Sequence, residues 1–135
     1  MHRLIILIII CLLATTSIAG EPEKETKTTK SGLQYTSLIE GTGATPGSTD
    51  TVSVNYRGTL LNGREFDSSY KSGRPTEFRL NNVIKCWTEG LQMMKVGGKA
   101  ELVCPSNLAY GDEGIVGSVP RFATLIFEVE LLAVK

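Results

Sequence analysis

The run VSVNYRGTL at 52–60 constrains the fold more than any other part of the chain. Its apolar and polar residues alternate, so Val52, Tyr56 and Leu60 share one face of an extended strand while Asn55 lies on the other. Such a strand buries one face and leaves the other in water. A sheet built from strands of this kind needs a second layer to cover its apolar face.

The residues after this strand predict a hairpin with a three-residue loop. Asn62-Gly63 signals a tight reversal, but a two-residue turn would set Phe66 opposite Thr59 and so on the polar face. With Gly63 in the left-handed region as a bulge, Phe66 instead falls opposite Gly58. Because glycine has no side chain, the prediction is an aromatic ring packed over Gly58.

The rest of the chain completes an α+β pattern of four or five mostly antiparallel strands and one helix. Strand signals occur at 33–39, 76–80, 99–104 and 125–131. Apolar residues recur at three- and four-residue intervals over 83–94, which predicts a single amphipathic helix as the cover. Gly90 inside that helix costs about 1 kcal/mol relative to alanine, which indicates close packing against it.

The predicted helix is narrower than the predicted sheet, so part of the apolar face should stay uncovered beside it. An uncovered apolar face at this position predicts a pocket with aromatic walls. The run YGDEGIVGSVPRF at 110–122 has no period, and a loop of this length in a small domain is more often functional than idle.

The N-terminal segment predicts export. Residues 1–19 combine a short basic start, an apolar run and small residues near Ala19, which is typical of a signal peptide cleaved after Ala19. An uncleaved membrane anchor is the alternative, although the apolar run is short for spanning a bilayer. Residues 20–31 are charged and Thr-rich and are expected to be a flexible linker. Residues 32–135 are expected to form one domain. The exported protein is expected to be periplasmic or secreted.

Charge and residue content exclude several functions. The 14 basic residues balance the 14 acidic ones, so no excess positive charge is available for nucleic acid. The only histidine, His2, lies in the predicted signal, so imidazole catalysis and histidine metal ligation are excluded from the mature chain. There is no nucleotide-binding glycine motif, and we expect no metal and no cofactor.

Two features stay open on the residues alone. Cys86 and Cys104 either form a disulfide in an oxidising compartment or are a buried pair of free thiols. Asp67 beside Phe66 is either a turn cap for the two serines that follow or a functional carboxylate at the end of the strand.

Four motifs bring these features together. They are GREFDSS at 63–69, NNVIKCWTEGLQMM at 81–94, LAYGDEG at 108–114 and ATLIFEVELL at 123–132. In this order and spacing they resemble the FKBP family of peptidyl-prolyl isomerases over about 30–134. Details of the second and third motifs look most like the exported bacterial branch related to macrophage infectivity potentiators.

The resemblance implies a twisted antiparallel sheet wrapped around one short amphipathic helix, with Trp87 as the floor of a pocket. By that resemblance, Asp67 and the Tyr110 hydroxyl are polar contacts at the rim, and the Ile84 N–H binds a carbonyl of the substrate. The catalytic set that it implies is Tyr56, Phe66, Asp67, Ile84, Trp87, Tyr110 and Phe127, with Phe78, Val83 and Val119 as further substrate-binding residues.

The resemblance implies a peptidyl-prolyl cis-trans isomerase that acts on proline-containing polypeptides of exported proteins and binds macrolides of the tacrolimus and rapamycin type. A non-catalytic binding or chaperone module for proline-containing or apolar segments is the alternative. We expect a monomer, since no coiled-coil pattern precedes the domain.

The chain also departs from the family pattern. Cys86 stands where glycine is usual, and Ser118, Arg121 and Phe122 stand where apolar and proline residues are more usual. Arg121 either attracts acidic residues that flank the proline or is simply solvated.

Overall fold

The computed structural model describes residues 24–135. The predicted signal peptide at 1–19 and the start of the predicted linker lie outside the described residues. The strands are β1 (Thr26–Thr28), β2 (Gln34–Ile39), β3 (Thr51–Leu60), β4 (Glu65–Ser68), β5 (Thr76–Arg79), β6 (Lys99–Cys104) and β7 (Leu125–Val134), and the helix is α1 (Lys85–Leu91). Short 3₁₀ turns occur at Tyr70–Ser72, Leu80–Asn82 and Ser106–Leu108.

All seven strands belong to one sheet in the order β1-β2-β6-β7-β3-β4, and β5 also pairs with β3. Every pairing is antiparallel, and β3 lies between β7 on one side and β4 and β5 on the other. The predicted α+β class is therefore confirmed. Within residues 24–135, seven strands form instead of four or five; the three residues of β1 are too few to show a period of two.

β1 corrects the prediction of a flexible linker through Ser31. Thr26–Thr28 pair antiparallel with β2, and Thr26 lies opposite Thr36 with their hydroxyls hydrogen-bonded at 2.7 Å. All three residues of β1 are exposed, so apolar burial does not hold the strand. Hydrogen bonds to β2 and the preference of threonine for extended backbone hold β1 in place instead. The lack of apolar residues in this segment therefore did not reveal the strand.

α1 is shorter than the predicted 83–94. It begins after Ile84, whose φ of −57° and ψ of 150° are not helical. At the other end, Met93 N–H donates to the Gly90 carbonyl and Met94 N–H to the Leu91 carbonyl, so these residues form tight turns beyond the helix. The apolar period thus extends past the hydrogen-bonded helix on both sides.

The core lies between α1 and the apolar face of the sheet. The apolar residues predicted for one face of β3, β6 and β7 are buried there, including Val54, Leu102 and Val129 at 0% exposure. A Cβ added to Gly90 would lie 2.8 Å from Leu102 Cδ2, which confirms that the helix packs closely at this glycine. The helix therefore lies directly on β6.

A disulfide joins α1 to the end of β6. Cys86 and Cys104 are bonded, with Cα atoms 5.8 Å apart, and both are fully buried. The alternative of two free thiols is therefore not what the structure has. No helix among residues 24–135 is long and apolar enough to cross a membrane.

Candidate functional site

The hairpin between β3 and β4 brings the first aromatic ring into place. Gly63 has a φ of +86°, as the predicted three-residue loop requires. A Cβ at Gly58 would lie 2.7 Å from Phe66 Cζ, so the ring does pack over this glycine as predicted. The predicted register is wrong by one residue, however, since Gly58 pairs with Asp67 and a bulge follows.

Trp87, near the start of α1, is the centre of a cluster of rings. Its ring centroid lies 5.0 Å from that of Tyr56, 5.3 Å from that of Phe78 and 5.4 Å from that of Phe127, and all three pairs are edge-to-face. Each such contact adds about 0.5–1.5 kcal/mol beyond the burial of its area. Trp87 is only 3% exposed, and its indole N–H has no acceptor among the described residues.

These rings surround an open cavity of about 260 Å³, called the ring-walled cavity below. Strands β3, β4, β5 and β7, the segment leading into α1, and the start of the long loop each contribute to its walls. The lining residues are Tyr56, Asp67, Phe78, Asn82, Val83, Ile84, Trp87, Tyr110 and Phe127. Eight of the ten predicted site residues thus meet in one place.

Two predicted site residues, Phe66 and Val119, do not line the cavity. The Phe66 ring lies edge-to-face against Phe127 at 5.6 Å and supports that wall from behind. Val119 is buried at 4% exposure and faces a different cavity. Phe66 therefore contacts Phe127 rather than the ring-walled cavity, and Val119 lines the second cavity.

Asn82 lines the cavity and was missed by sequence reasoning. It ends the 3₁₀ turn Leu80–Asn82, which carries the chain from β5 to α1. A turn residue has no period that would reveal its direction, so the only available signal was a polar residue between Leu80 and Val83.

A carboxylate and two phenols form the polar rim. Asp67 Oδ2 accepts a 2.7 Å hydrogen bond from the Tyr56 hydroxyl, and Oδ1 accepts one of 2.9 Å from the Ser68 N–H. Burial raises the pKa of Tyr56 well above its ordinary value, and the hydrogen bond to Asp67 raises it further. Burial and the Asp67 charge likewise raise the pKa of Tyr110. Both phenols therefore keep their protons at neutral pH.

The two serines after Asp67 hold the rim in position. Ser69 is buried, its Oγ accepts a 2.9 Å hydrogen bond from the Tyr56 N–H, and its own N–H donates to the Tyr56 carbonyl at 3.0 Å. The Ser68 Oγ accepts from the Tyr70 N–H at 3.1 Å. These bonds tie β4 to β3 beside the Tyr56–Asp67 pair, so the open question about Asp67 has a joint answer: it bonds within the turn and also lines the cavity.

Besides the Trp87 indole N–H, the donors of the cavity wall that have no acceptor within residues 24–135 include the backbone N–H of Ile84, which precedes α1, and the Tyr110 hydroxyl. Groups of three or more His, Cys, Asp or Glu side chains suited to a metal are absent from this same range. The arrangement therefore offers an apolar floor with donors at its edge, which suits a ring flanked by carbonyl groups.

Comparison with known proteins places this site in a family. The model of the FKBP-type peptidyl-prolyl cis-trans isomerase family matches residues 43–132, and the chain belongs to that family. It is 53% identical over 113 residues to the FKBP-type peptidyl-prolyl cis-trans isomerase FkpA of Escherichia coli K12, a match covering 84% of this chain and 42% of FkpA.

Two further comparisons agree. The crystal structure of FkpA from Escherichia coli superimposes with a TM-score of 0.80 at 52% identity, covering 84% of this chain and 53% of that one. The outer membrane protein MIP of Legionella longbeachae is 48% identical over 105 residues, covering 78% of this chain and 45% of MIP. The chain thus spans less than half the length of these two curated relatives.

Proposed function

We propose that this protein is a peptidyl-prolyl cis-trans isomerase whose substrate proline enters the ring-walled cavity. The observation that carries the proposal is the cavity floor: Trp87 is fixed edge-to-face against three other rings and lies beneath an opening of about 260 Å³. Membership of the family supports the same activity.

The chemistry requires no proton transfer and no covalent intermediate. Rotation about a peptide bond meets a barrier of about 18–20 kcal/mol, because planarity delocalises the nitrogen lone pair into the carbonyl. Twisting removes the delocalisation and with it part of the charge separation. An apolar cavity that excludes water therefore disfavours the planar ground state more than the twisted transition state.

The residues have distinct roles in this mechanism. Trp87 and Phe127 hold the proline ring and exclude water, and Phe66 fixes Phe127 from behind. The Ile84 N–H, with no acceptor of its own in the described chain, donates to a substrate carbonyl. Asp67 and the Tyr110 hydroxyl orient the flanking backbone, and Tyr56 holds Asp67 in place through its 2.7 Å hydrogen bond.

Substrate class and location extend the proposal. The substrates are X-Pro bonds of exported polypeptides, whose uncatalysed isomerisation takes tens of seconds or longer. Residues 1–19 direct export to the periplasm or beyond, and 32–135 carry the activity. The disulfide between buried cysteines is consistent with an oxidising compartment. Macrolides of the tacrolimus and rapamycin type are proposed ligands of the same cavity, and the monomeric state stays a prediction.

NMR exchange spectroscopy on a short Ala-Pro peptide tests the activity directly. The parent protein should accelerate cis-trans exchange at substoichiometric concentration. Tyr110→Phe removes only a hydroxyl that bonds to no described residue, so this variant should keep the fold. It should lower kcat/KM by about fivefold, because losing one neutral hydrogen bond to the substrate costs about 1 kcal/mol. Binding of the peptide without acceleration would overturn the proposal in favour of a binding or chaperone module.

A further inference from the structure

A second cavity, of about 450 Å³, shares no lining residue with the ring-walled cavity and is lined by two arginines. Arg64 comes from the β3–β4 hairpin, and Arg121 comes from the long loop before β7. The lining also includes Glu113, Ile115 and Val116, and we call the whole site the basic cavity. The proposed mechanism makes no use of it.

Both guanidinium groups are held in place by backbone carbonyls. Arg64 Nη2 donates to the Ser118 carbonyl at 2.9 Å, and Arg121 Nε donates to the Asp112 carbonyl at 2.6 Å. The Arg121 guanidinium also lies 5.5 Å from the centroid of the Phe122 ring, within cation–π range. Because a guanidinium has five N–H donors, each arginine keeps donors for a ligand.

No ion pair among the described residues neutralises the positive charge of these arginines. The salt bridges found in residues 24–135 join other residues, and none includes Arg64 or Arg121. Among residues 24–135, Glu113 is the one carboxylate that lines the basic cavity, so two cations face one anion there. Val116 beside them is fully exposed at 101%. The surface is complementary to an acidic side chain next to apolar chain.

Two separate segments connect the basic cavity to the ring-walled cavity. Asp67, at the rim of the ring-walled cavity, is three residues from Arg64, a distance of about 10 Å along a strand. Tyr110, on the same rim, is two residues from Asp112, whose carbonyl holds Arg121. An extended polypeptide advances about 3.3 Å per residue, so a substrate needs about three residues to cover the roughly 10 Å between Asp67 and Arg64.

We propose that the basic cavity binds an acidic side chain of the substrate polypeptide, about three residues from the proline, so that this isomerase prefers X-Pro sites with a nearby Asp or Glu. The inference rests on the proposed function, because it takes the ring-walled cavity as the proline site. Arg64 and Arg121 then act as specificity residues, and their effect weakens with salt because both are exposed.

A peptide series tests this inference. Each peptide carries one Ala-Pro bond and a single Glu, Gln or Lys. This residue is placed in turn at each of the four positions before and the four positions after the Ala-Pro pair. With the parent protein, kcat/KM should be about fivefold higher for Glu than for Gln at a position near three residues away, and lowest for Lys, since exposed ion pairs contribute up to about 1 kcal/mol. The preference should shrink when the salt concentration is raised.

Variants of the basic cavity complete the test. Arg121→Gln and Arg64→Gln should each reduce the ratio of kcat/KM for the Glu peptide to kcat/KM for the Gln peptide, and Glu113→Gln should increase this ratio. Arg74→Gln, an exposed arginine that lines neither cavity, is the control and should leave the preference intact. Equal turnover of Glu and Gln peptides at every position would overturn the inference and leave the proposed function standing. Failure to accelerate any peptide would remove both.

Discussion

The ring-walled cavity and the loop at 111–124 differ in how they are held together. Around Trp87, large side chains fix one another, and Tyr56, Trp87 and Phe127 are each less than 10% exposed. The loop has a single bridge, Ile115 to Val119, and exposes Val116 and Phe122. Backbone turns and two arginine side chains shape it rather than packed rings.

This difference separates the proposed chemistry from the proposed selectivity. A cavity that acts by excluding water must keep its walls fixed, which requires packing from several strands at once. A surface that selects flanking residues needs only charges in suitable places, and loops accept such changes readily. Substitutions should therefore be costly in the first region and mild in the second.

The largest expected effect is at the floor of the cavity. Trp87→Ala removes contacts with three rings and should lower the free energy of unfolding by about 3–5 kcal/mol, measured by urea denaturation with circular dichroism. Val116→Ala is the matched loop variant and should change it by less than about 0.5 kcal/mol. Similar losses of unfolding free energy in both variants would show that the cavity and the loop do not differ in this way.

The disulfide should have the next largest effect. Its cysteines are 18 residues apart in sequence, and closing a loop of this size stabilises a fold by about 3 kcal/mol. The double variant Cys86→Ala, Cys104→Ala should lose about that amount and also raise KM, because the bond fixes the start of α1 beside the Ile84 N–H and Trp87.

A thiol count checks the same claim without a stability measurement. In a chain whose remaining cysteine, Cys11, is replaced by serine, unfolding without reductant should release no titratable thiol. Two titratable thiols per chain would show that Cys86 and Cys104 are free.

A smaller effect is expected behind the cavity wall. Gly58→Ala would put a Cβ 2.7 Å from Phe66 Cζ and 2.8 Å from Phe127 Cε1, and overpacking of this kind costs about 1–3 kcal/mol. Adding Phe66→Leu should recover part of the loss if the clash is the cause, which denaturation of the double variant would show. A loss that the second substitution leaves unchanged would refute this packing.

The long strands could be predicted from the sequence, whereas the shortest strand and one register could not. Long alternation in β3, β6 and β7 identified both the strands and their buried faces, because a period of two persists over six or more residues. The three residues of β1 offer no such pattern. A bulge after Gly58 makes this residue pair with Asp67, whereas the turn length alone predicts Phe66 as its partner.

The site was predicted to a similar depth. Residues on the predicted strands and at the start of the helix, such as Tyr56 and Trp87, could be placed on one face. Val119 and Asn82 lie in irregular segments, where the direction of a side chain depends on tertiary contacts. The disulfide could not be decided from spacing, because two cysteines bond only where the fold brings their Cα atoms within reach.

In the loop, one substitution should stabilise the protein. Phe122 has a φ of +57° although its side chain is 66% exposed, and a left-handed conformation costs a non-glycine residue about 1–2 kcal/mol. Phe122→Asn should therefore raise the free energy of unfolding by about 0.5–1 kcal/mol, since asparagine tolerates this conformation better. A loss above about 1 kcal/mol would show that the exposed ring contributes more to the fold than its packing indicates.

The smallest effect concerns pH. The pKa values of Tyr56 and Tyr110 are raised in the folded protein, so the stability that these phenols contribute is complete below their ordinary value of 10.0 and is lost as the pH rises through the folded values. Their contribution should be constant between about pH 6 and 9. Absorbance titration of tyrosinate should show that some tyrosines of the folded parent ionise only well above pH 10, and fewer should do so in Tyr56→Phe and in Tyr110→Phe. Ionisation of every tyrosine near pH 10 in the folded parent would contradict the raised pKa values.

The most direct measurement uses the only tryptophan of the chain, which gives a single indole N–H resonance. A ¹⁵N-labelled sample titrated with an Ala-Pro peptide should show a saturable shift of the Trp87 indole signal, with a midpoint matching the concentration dependence of the accelerated exchange. Accelerated isomerisation with an unmoved Trp87 signal would show that the proline turns elsewhere and would contradict the account.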